Sequence, residues 1–291
     1  MYFVPPRVDA TNSAYRNDKE RRTPKSKKKD TAYGIVSLLV HPLSTSKQSN
    51  RFDLFSKIVD ALREADLSLQ NGDVLVISSK YISISQGRKI TISKITESPK
   101  AGELGRKHHI KPEIAEAILR ESDQTLGGTP GFVLTVSDGV IAPNAGIDRS
   151  SAGADSIILY PQNPHRTAEQ IRRKIFLEYA VCVGIIISDS RLMPGRVGTV
   201  GTSVACAGIE PVSDMRGRND LDGRPLKVTF QATADGLAAA ANHIMGEGAQ
   251  ATPIALVRNS GARMVERRID SQETTVAPAR CLYIRSLGQH T

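Results

Sequence analysis

Three acidic residues stand where this chain could hold a cation. Asp148 lies in Pro143-Asn144-Ala145-Gly146-Ile147-Asp148-Arg149-Ser150-Ser151, Asp189 follows the apolar run 183–187, and Glu247 sits between Gly246 and Gly248. A charge placed directly after a buried strand is either exposed at the strand end or holding a cation, because burying it unpaired costs several kcal/mol. The glycines beside Glu247 let the backbone approach a ligand closely, and successive amides there can cradle an anion. Hard carboxylate oxygens and an amide-rich loop together suit Mg²⁺ or Mn²⁺ on a nucleoside triphosphate. From spacing alone, each acid reads equally as a helix cap, a turn former or half of an ion pair.

A second cluster, Asp214 to Thr229, is dense in Arg and Asp and contains Arg216, Arg218 and Arg224. Guanidinium forks suit phosphate or carboxylate. The alternative is a solvated ion-pair hairpin turning at Asp222-Gly223.

The elements that must position these groups begin near Tyr33. A strand is expected over 34–40, broken by His41-Pro42-Leu43-Ser44 because proline cannot donate to a ladder. Helical spacing follows at Phe55, Ile58, Val59 and Leu62, then an Asn71-Gly72 turn and a buried strand over 73–77. Ile110, Ile114, Ala117 and Ile118 mark a helix, 127–131 a loop, 132–136 a strand, 157–160 a strand, and Ala168, Ile171, Ile175 and Tyr179 a helical stripe. The strand 183–187 ends at Ser188-Asp189-Ser190. Residues 195–208 read as a glycine-rich meander, 226–232 as extended, 233–245 as an Ala-rich helix, 253–257 as a strand, and 281–284 as one further strand in an irregular tail. Intermixed strands and helices without a steady βαβ rhythm point to α+β.

Composition narrows the function classes. The chain has 291 residues, long enough for a real core, and a net charge of +9. Residues 1–33 hold nine Lys/Arg against four Asp/Glu, so more than half of that excess lies in a polar leader. The remainder is nearly balanced, and aromatics are only 4%, which disfavours a basic or stacking nucleic-acid face. No apolar run reaches 18 residues, so no transmembrane helix is expected, and the leader lacks the apolar region of a secretory signal. Cys182, Cys206 and Cys281 form no CxxC pair and read as small buried thiols of a cytoplasmic protein. There is no GxxxxGK[ST], no GxGxxG after a strand and no GxSxG. Gly102-Glu103-Leu104-Gly105-Arg106-Lys107 reads as a turn beside a helix, and His108-His109 as a surface pair.

Four segments in order carry a family resemblance: Asn144-Ala145-Gly146-Ile147-Asp148 with Ser150-Ser151; Ile187-Ser188-Asp189-Ser190; Arg216-Gly217-Arg218 through Leu226-Lys227-Val228-Thr229; and Met245-Gly246-Glu247-Gly248. Over about residues 34–258 the chain resembles the coenzyme F420-0:L-glutamate ligases, the γ-glutamyl ligases of the deazaflavin cofactor. The resemblance implies an α+β, two-lobed fold in an intertwined homodimer. The basic leader 1–33 and an extension over 259–291 fall outside it.

It also implies a GTP-dependent amide ligase acting on coenzyme F420-0 and L-glutamate, using two divalent cations (Mg²⁺ or Mn²⁺) with potassium as a further candidate. Asp148 and Asp189 would hold one metal, and Ser190 with Glu247 the second; Asp148, Asp189 and Glu247 are thus the catalytic candidates. Guanine-nucleotide contacts would come from His41, Pro42, Leu43, Ser44, Ser79, Lys80 and Ser151, and from the loop Met245, Gly246, Glu247, Gly248, Ala249, Gln250, Ala251 and Thr252. Arg149, Arg196, Arg216 and Arg218 are candidates, from charge and position, for the anionic cofactor tail or glutamate. No nucleic acid or membrane is an expected partner.

Two segments depart from the family pattern. Ser83-Ile84-Ser85-Gln86-Gly87 stands where the family reads Ser-Lys-Ala-Glu-Gly, and Ser190-Arg191-Leu192-Met193-Pro194-Gly195-Arg196 stands where it has Thr and then a Gly-Arg segment. Two competing readings follow: a nucleotide-binding homologue that no longer catalyses, suggested by Ile84, and a basic protein binding nucleic acid or a membrane surface.

Overall fold

The computed structural model describes residues 37–150 and 152–287. The leader and Ser151 therefore lie outside the described residues. The chain folds as α+β. Its main sheet has five strands in the order β1 (Leu39–Leu43), β12 (Ile254–Arg258), β2 (Val74–Ser78), β8 (Gly184–Leu192) and β9 (Thr199–Ala207). Only β2 and β8 run parallel. Leu75, Ile77, Ile185 and Ile187 face α1 (Leu54–Glu64), α2 (Ser79–Ser85) and α5 (Pro164–Tyr179). Val74, Val76 and Ile186 face α6 (Thr233–Met245). Both faces of the central strands are covered, so they read as continuous apolar runs instead of alternating.

Local chemistry sets several element ends. Asp53 caps α1, accepting from the Phe55 and Ser56 amides. Asp73, 2% exposed at the entry to β2, is gripped at both oxygens by Arg258 of β12 (2.9 and 2.8 Å). A third apolar cluster gathers Ile92, Ile114, Ile118, Val133, Ala145 and Ile157. It joins α4 (Pro112–Glu121) to the β5 strand (Phe132–Ser137) of the β4–β6 meander (Gln124–Thr129, Phe132–Ser137, Val140–Pro143) and to the β3–β7 ribbon (Lys89–Thr91, Ser156–Ile158). Here α3 (Pro99–His108) packs on α4.

The structure corrects several expectations. β1 runs through His41-Pro42-Leu43, because it is an edge strand where a missing N–H costs no ladder bond. β8 does not stop at Ile187: antiparallel β9 continues to pair with it, Asp189 opposite Thr202 and Ser190 opposite Gly201. The meander over 195–208 is thus largely β9. The expected loop at 127–131 is partly strand, with a bulge between Thr125 and Gly127. Gly102 to Lys107 lies inside α3, started by Ser98 as cap and Pro99 at its first turn. His108 is buried and His109 ends the helix in the left-handed region (φ 54°), so they are no surface pair. Residues 282–287 form a helix, α7, where a strand was expected. Of the three thiols only Cys206 is buried; Cys182 is exposed.

Candidate functional site

The parallel pair β2–β8 defines where a site can form, because ligands of such sheets gather beyond the carboxyl ends of the strands. β2 ends at Ser78, opposite Ser188, and passes directly into α2 through Ser79 and Lys80. β8 outruns it by four residues, so Asp189 and Ser190 extend past the end of β2, still paired with β9, and face opposite sides of the sheet.

Asp189 points to the α2 side. Its Oδ1 accepts from the Ser79 hydroxyl (2.9 Å), and its Oδ2 faces the Arg191 guanidinium (2.9 Å). Burial pushes the Asp189 pKa above the usual carboxylate range, the Asp148 charge nearby pushes the same way, and Arg191 and Ser79 oppose them. Of the readings open to this acid in the sequence, half of an ion pair is the arrangement observed.

Asp148 follows the turn at Asn144-Ala145-Gly146 and is pinned by a two-way backbone bridge to Ile158. Lys80 reaches across from α2 to Asp148 Oδ2 (2.6 Å) and to the Ser150 hydroxyl (2.7 Å). Glycine is required at 146: a Cβ there would come within 2.5 Å of the Tyr160 ring, and φ is +69°. Tyr160 is buried, which pushes its phenol pKa up, so it stays a neutral hydroxyl.

Ser190 points to the α6 side. Its hydroxyl donates to Glu247 Oε1 (2.5 Å), which also accepts from Asn242 Nδ2 (2.8 Å). Glu247 stands in the loop leaving α6. Gly246 (φ +75°) turns the chain there, and Gln250 folds over it, accepting from the Gly248 amide (2.8 Å). That loop amide is therefore already bonded within the loop. Thr252 ties back to the Met245 carbonyl (2.6 Å), and the Thr45 amide bonds the Ala251 carbonyl (2.9 Å). Register Leu43↔Ile254 brings Leu43 and Ser44 beside the end of this loop, while Pro42 and His41 lie further along the sheet, opposite Ala255 and Leu256.

The structure thus brings the residues around 43–44, 78–80, 188–190 and 245–252 to one end of the sheet, with Asp148 joined through Lys80. Arg149 is exposed beside Asp148, and Arg196 is exposed in the β8–β9 turn. Arg216 is committed elsewhere. It grips Asp214 and lies 4.6 Å over the Phe230 ring, on a hairpin arm whose base is β10 (Ser213–Asp214) with β11 (Phe230–Gln231). Arg218 lies on the same arm, which turns at Asp220 to Arg224. Among the described contacts none joins Arg216 or Arg218 to the carboxylates, and the ion-pair hairpin is the form this block takes. Sequence reading missed Arg191, Tyr160 and Asn242. A longer β8 would have shown Arg191, two residues past Asp189 on the same face; nothing in the spacing marks the other two.

Among the described residues no group of three or more His, Cys, Asp or Glu side chains converges as a metal cage. Ser190 and Glu247 are in direct contact, whereas Asp148 and Asp189 sense each other's charge but are paired with Lys80 and with Ser79 and Arg191. A cation carried on phosphate asks for one or two protein carboxylates and no complete cage, so the donor chemistry fits.

A family model described as F420-0:Gamma-glutamyl ligase matches residues 44–259. The chain is 34% identical over 226 residues to the coenzyme F420:L-glutamate ligase of Methanopyrus kandleri, covering 77% of this chain and 88% of that protein. It is 36% identical over 216 residues to the one of Archaeoglobus fulgidus (73% and 86%), and 36% identical over 197 residues to the one of Methanocaldococcus jannaschii (67% and 79%).

Proposed function

Because the chain belongs to the F420-0:gamma-glutamyl ligase family, we propose that it is a GTP- and divalent-metal-dependent ligase joining L-glutamate to coenzyme F420-0. One observation carries the reading. Adjacent residues at the carboxyl end of β8 meet oxygen groups from distant segments, Asp189 the Ser79 hydroxyl and Ser190 the Glu247 carboxylate.

In this reading the terminal carboxylate of F420-0 attacks the γ-phosphorus of GTP in line. The bond to the bridging oxygen breaks, GDP leaves, and an acyl phosphate forms. The α-amine of glutamate then attacks the acyl carbon, inorganic phosphate leaves, and the nitrogen loses a proton as the amide forms. Divalent cations, when bound, supply the positive charge that lets a carboxylate approach a triphosphate. Asp148 and Asp189 would hold one, and Ser190 and Glu247 the other. Ser79 orients Asp189, and Asn242 orients Glu247 toward Ser190. Lys80 holds Asp148 in place and adds charge for the nucleotide phosphates. The loop from Met245 to Thr252 and residues His41, Pro42, Leu43, Ser44 and Ser151 would seat the nucleotide; Arg149 and Arg196 remain available for the anionic acceptor. A two-lobed homodimer in the cytoplasm belongs to the same proposal. No helix among the described residues is long and apolar enough to cross a membrane.

The competing reading, nucleotide binding without turnover, draws on Ile84. On α2 it lies one turn after Lys80 on the same face, so the cationic group on that face is Lys80. The test is phosphate release from GTP with Mn²⁺, read together with the mass of the cofactor product. Release that requires both F420-0 and glutamate, with a glutamyl gain in mass, is expected. Nucleotide binding with no product refutes the ligase.

A further inference from the structure

Arg191 follows Asp189 by two residues on β8, so both side chains leave the strand on one face. It is 7% exposed. Its Nη2 lies 2.9 Å from Asp189 Oδ2 as an ion pair and donates to the Tyr160 hydroxyl (3.2 Å), and the guanidinium carbon lies 5.4 Å from the Tyr160 ring centroid. Its Nε and Nη1 are shielded from solvent and meet no acceptor. Two buried donors of a permanent cation without acceptors are costly, and an acceptor oxygen brought to them would relieve that cost.

The same cation faces the carboxylate that the proposed function assigns to a divalent ion. A free divalent ion approaching Asp189 meets a guanidinium already in place, and the two repel. An anion that touches both reverses the sign of that interaction.

We propose that Arg191 is a resident counter-cation of Asp189 that couples cation and anion binding: it keeps a free divalent ion off Asp189, and its two unpartnered N–H groups take an oxygen of the phosphate or carboxylate that arrives with the ion. Arg191 is here a substrate-binding and positioning residue. The inference rests on the reading of Asp189 as a cation ligand. Coupling of this kind is reciprocal: the anion tightens the cation by the factor by which the cation tightens the anion.

Calorimetric titration of the full chain tests it, using Mn²⁺ alone, GTP alone, coenzyme F420-0 alone, and Mn²⁺ premixed with either. Wild type is expected to bind Mn²⁺ alone weakly and to show mutual tightening of about tenfold with the anion. Tightening with GTP assigns the oxyanion to a phosphate; tightening with F420-0 assigns it to the acceptor. In Arg191→Gln, which removes the charge and keeps an amide donor, Mn²⁺ alone is expected to bind about tenfold tighter and the coupling to shrink by the same factor. Arg191→Lys keeps the charge and loses the fork, so Mn²⁺ alone is expected to bind as weakly as in wild type while the mutual tightening shrinks. Equal affinity for Mn²⁺ alone in wild type and a cooperatively folded Arg191→Gln overturns the proposal. Absence of mutual tightening in wild type overturns it without any variant. Normal coupling in a chain that makes no glutamyl product refutes the ligase and leaves Arg191's role standing; a working ligase without coupling refutes Arg191's role alone.

Discussion

Gly201 is where a single methyl group is expected to reach the site from the far side of a strand. It pairs with Ser190 in the β8–β9 ladder and lies beneath α6. A Cβ at this position would stand 2.4 Å from Asn242 Cβ and 2.6 Å from the Ala238 carbonyl oxygen. Comfortable carbon contacts begin at about 3.5 Å, so α6 must retreat by about 1 Å in Gly201→Ala. Overpacking of this kind costs about 1–3 kcal/mol. At about 2–4 °C per kcal/mol, that lowers the melting temperature by roughly 2–12 °C. The retreat carries Asn242 with it, and Asn242 donates to Glu247 (2.8 Å), the partner of Ser190. A displacement of about 1 Å in a positioning group costs up to ~100-fold in turnover. The assay is glutamate-dependent phosphate release beside a thermal melt. Gly236→Ala is the control: it lies on the exposed face of the same helix with nothing within 4 Å of its Cβ. That variant is expected to gain about 0.4–1 kcal/mol with turnover intact. If Gly201→Ala melts and turns over like wild type, the close approach of α6 to β9 is not what sets Glu247.

Asp189→Asn is expected to lower turnover by at least about tenfold, through loss of the charge that would hold a cation at the reacting phosphate; unchanged turnover removes Asp189 from the site. The raised pKa of Asp189 has two consequences of opposite sign above its ordinary value of 3.8. Through the interval between that value and the raised one, stability of the metal-free chain falls as pH rises, because the folded state holds the proton more tightly. Apparent Mn²⁺ affinity rises over the same interval, since the proton competes for the carboxylate; an affinity independent of pH above 3.8 contradicts the shift. Arg258→Met strands the Asp73 carboxylate, 2% exposed, and is expected to cost about 3–5 kcal/mol, read by denaturant unfolding. Burial pushes the Cys206 thiol up to about 12, so a thiol reagent is expected to label exposed Cys182 quickly and Cys206 only on unfolding; equal rates in the native state refute this.

Much of the architecture was legible because the signals are local. The Ala-rich run and the apolar stretch before Asp189 were placed as a helix and a strand by periodicity, and α6 spans the expected 233–245. The acids were legible as oxygen donors beside turns, since residue type and a neighbouring glycine are written in the chain. The elements misjudged are those whose state depends on a distant partner. β1 tolerates Pro42 because it is an edge, and β8 reaches Leu192 because β9 pairs with it. Residue type and spacing therefore marked the candidate oxygen donors and most of the elements that carry them. Tertiary structure decided their partners: Lys80 on Asp148, Arg191 on Asp189, Ser190 on Glu247. An ion pair depends on distance and burial across elements separated by tens of residues, and no pattern along one dimension encodes either.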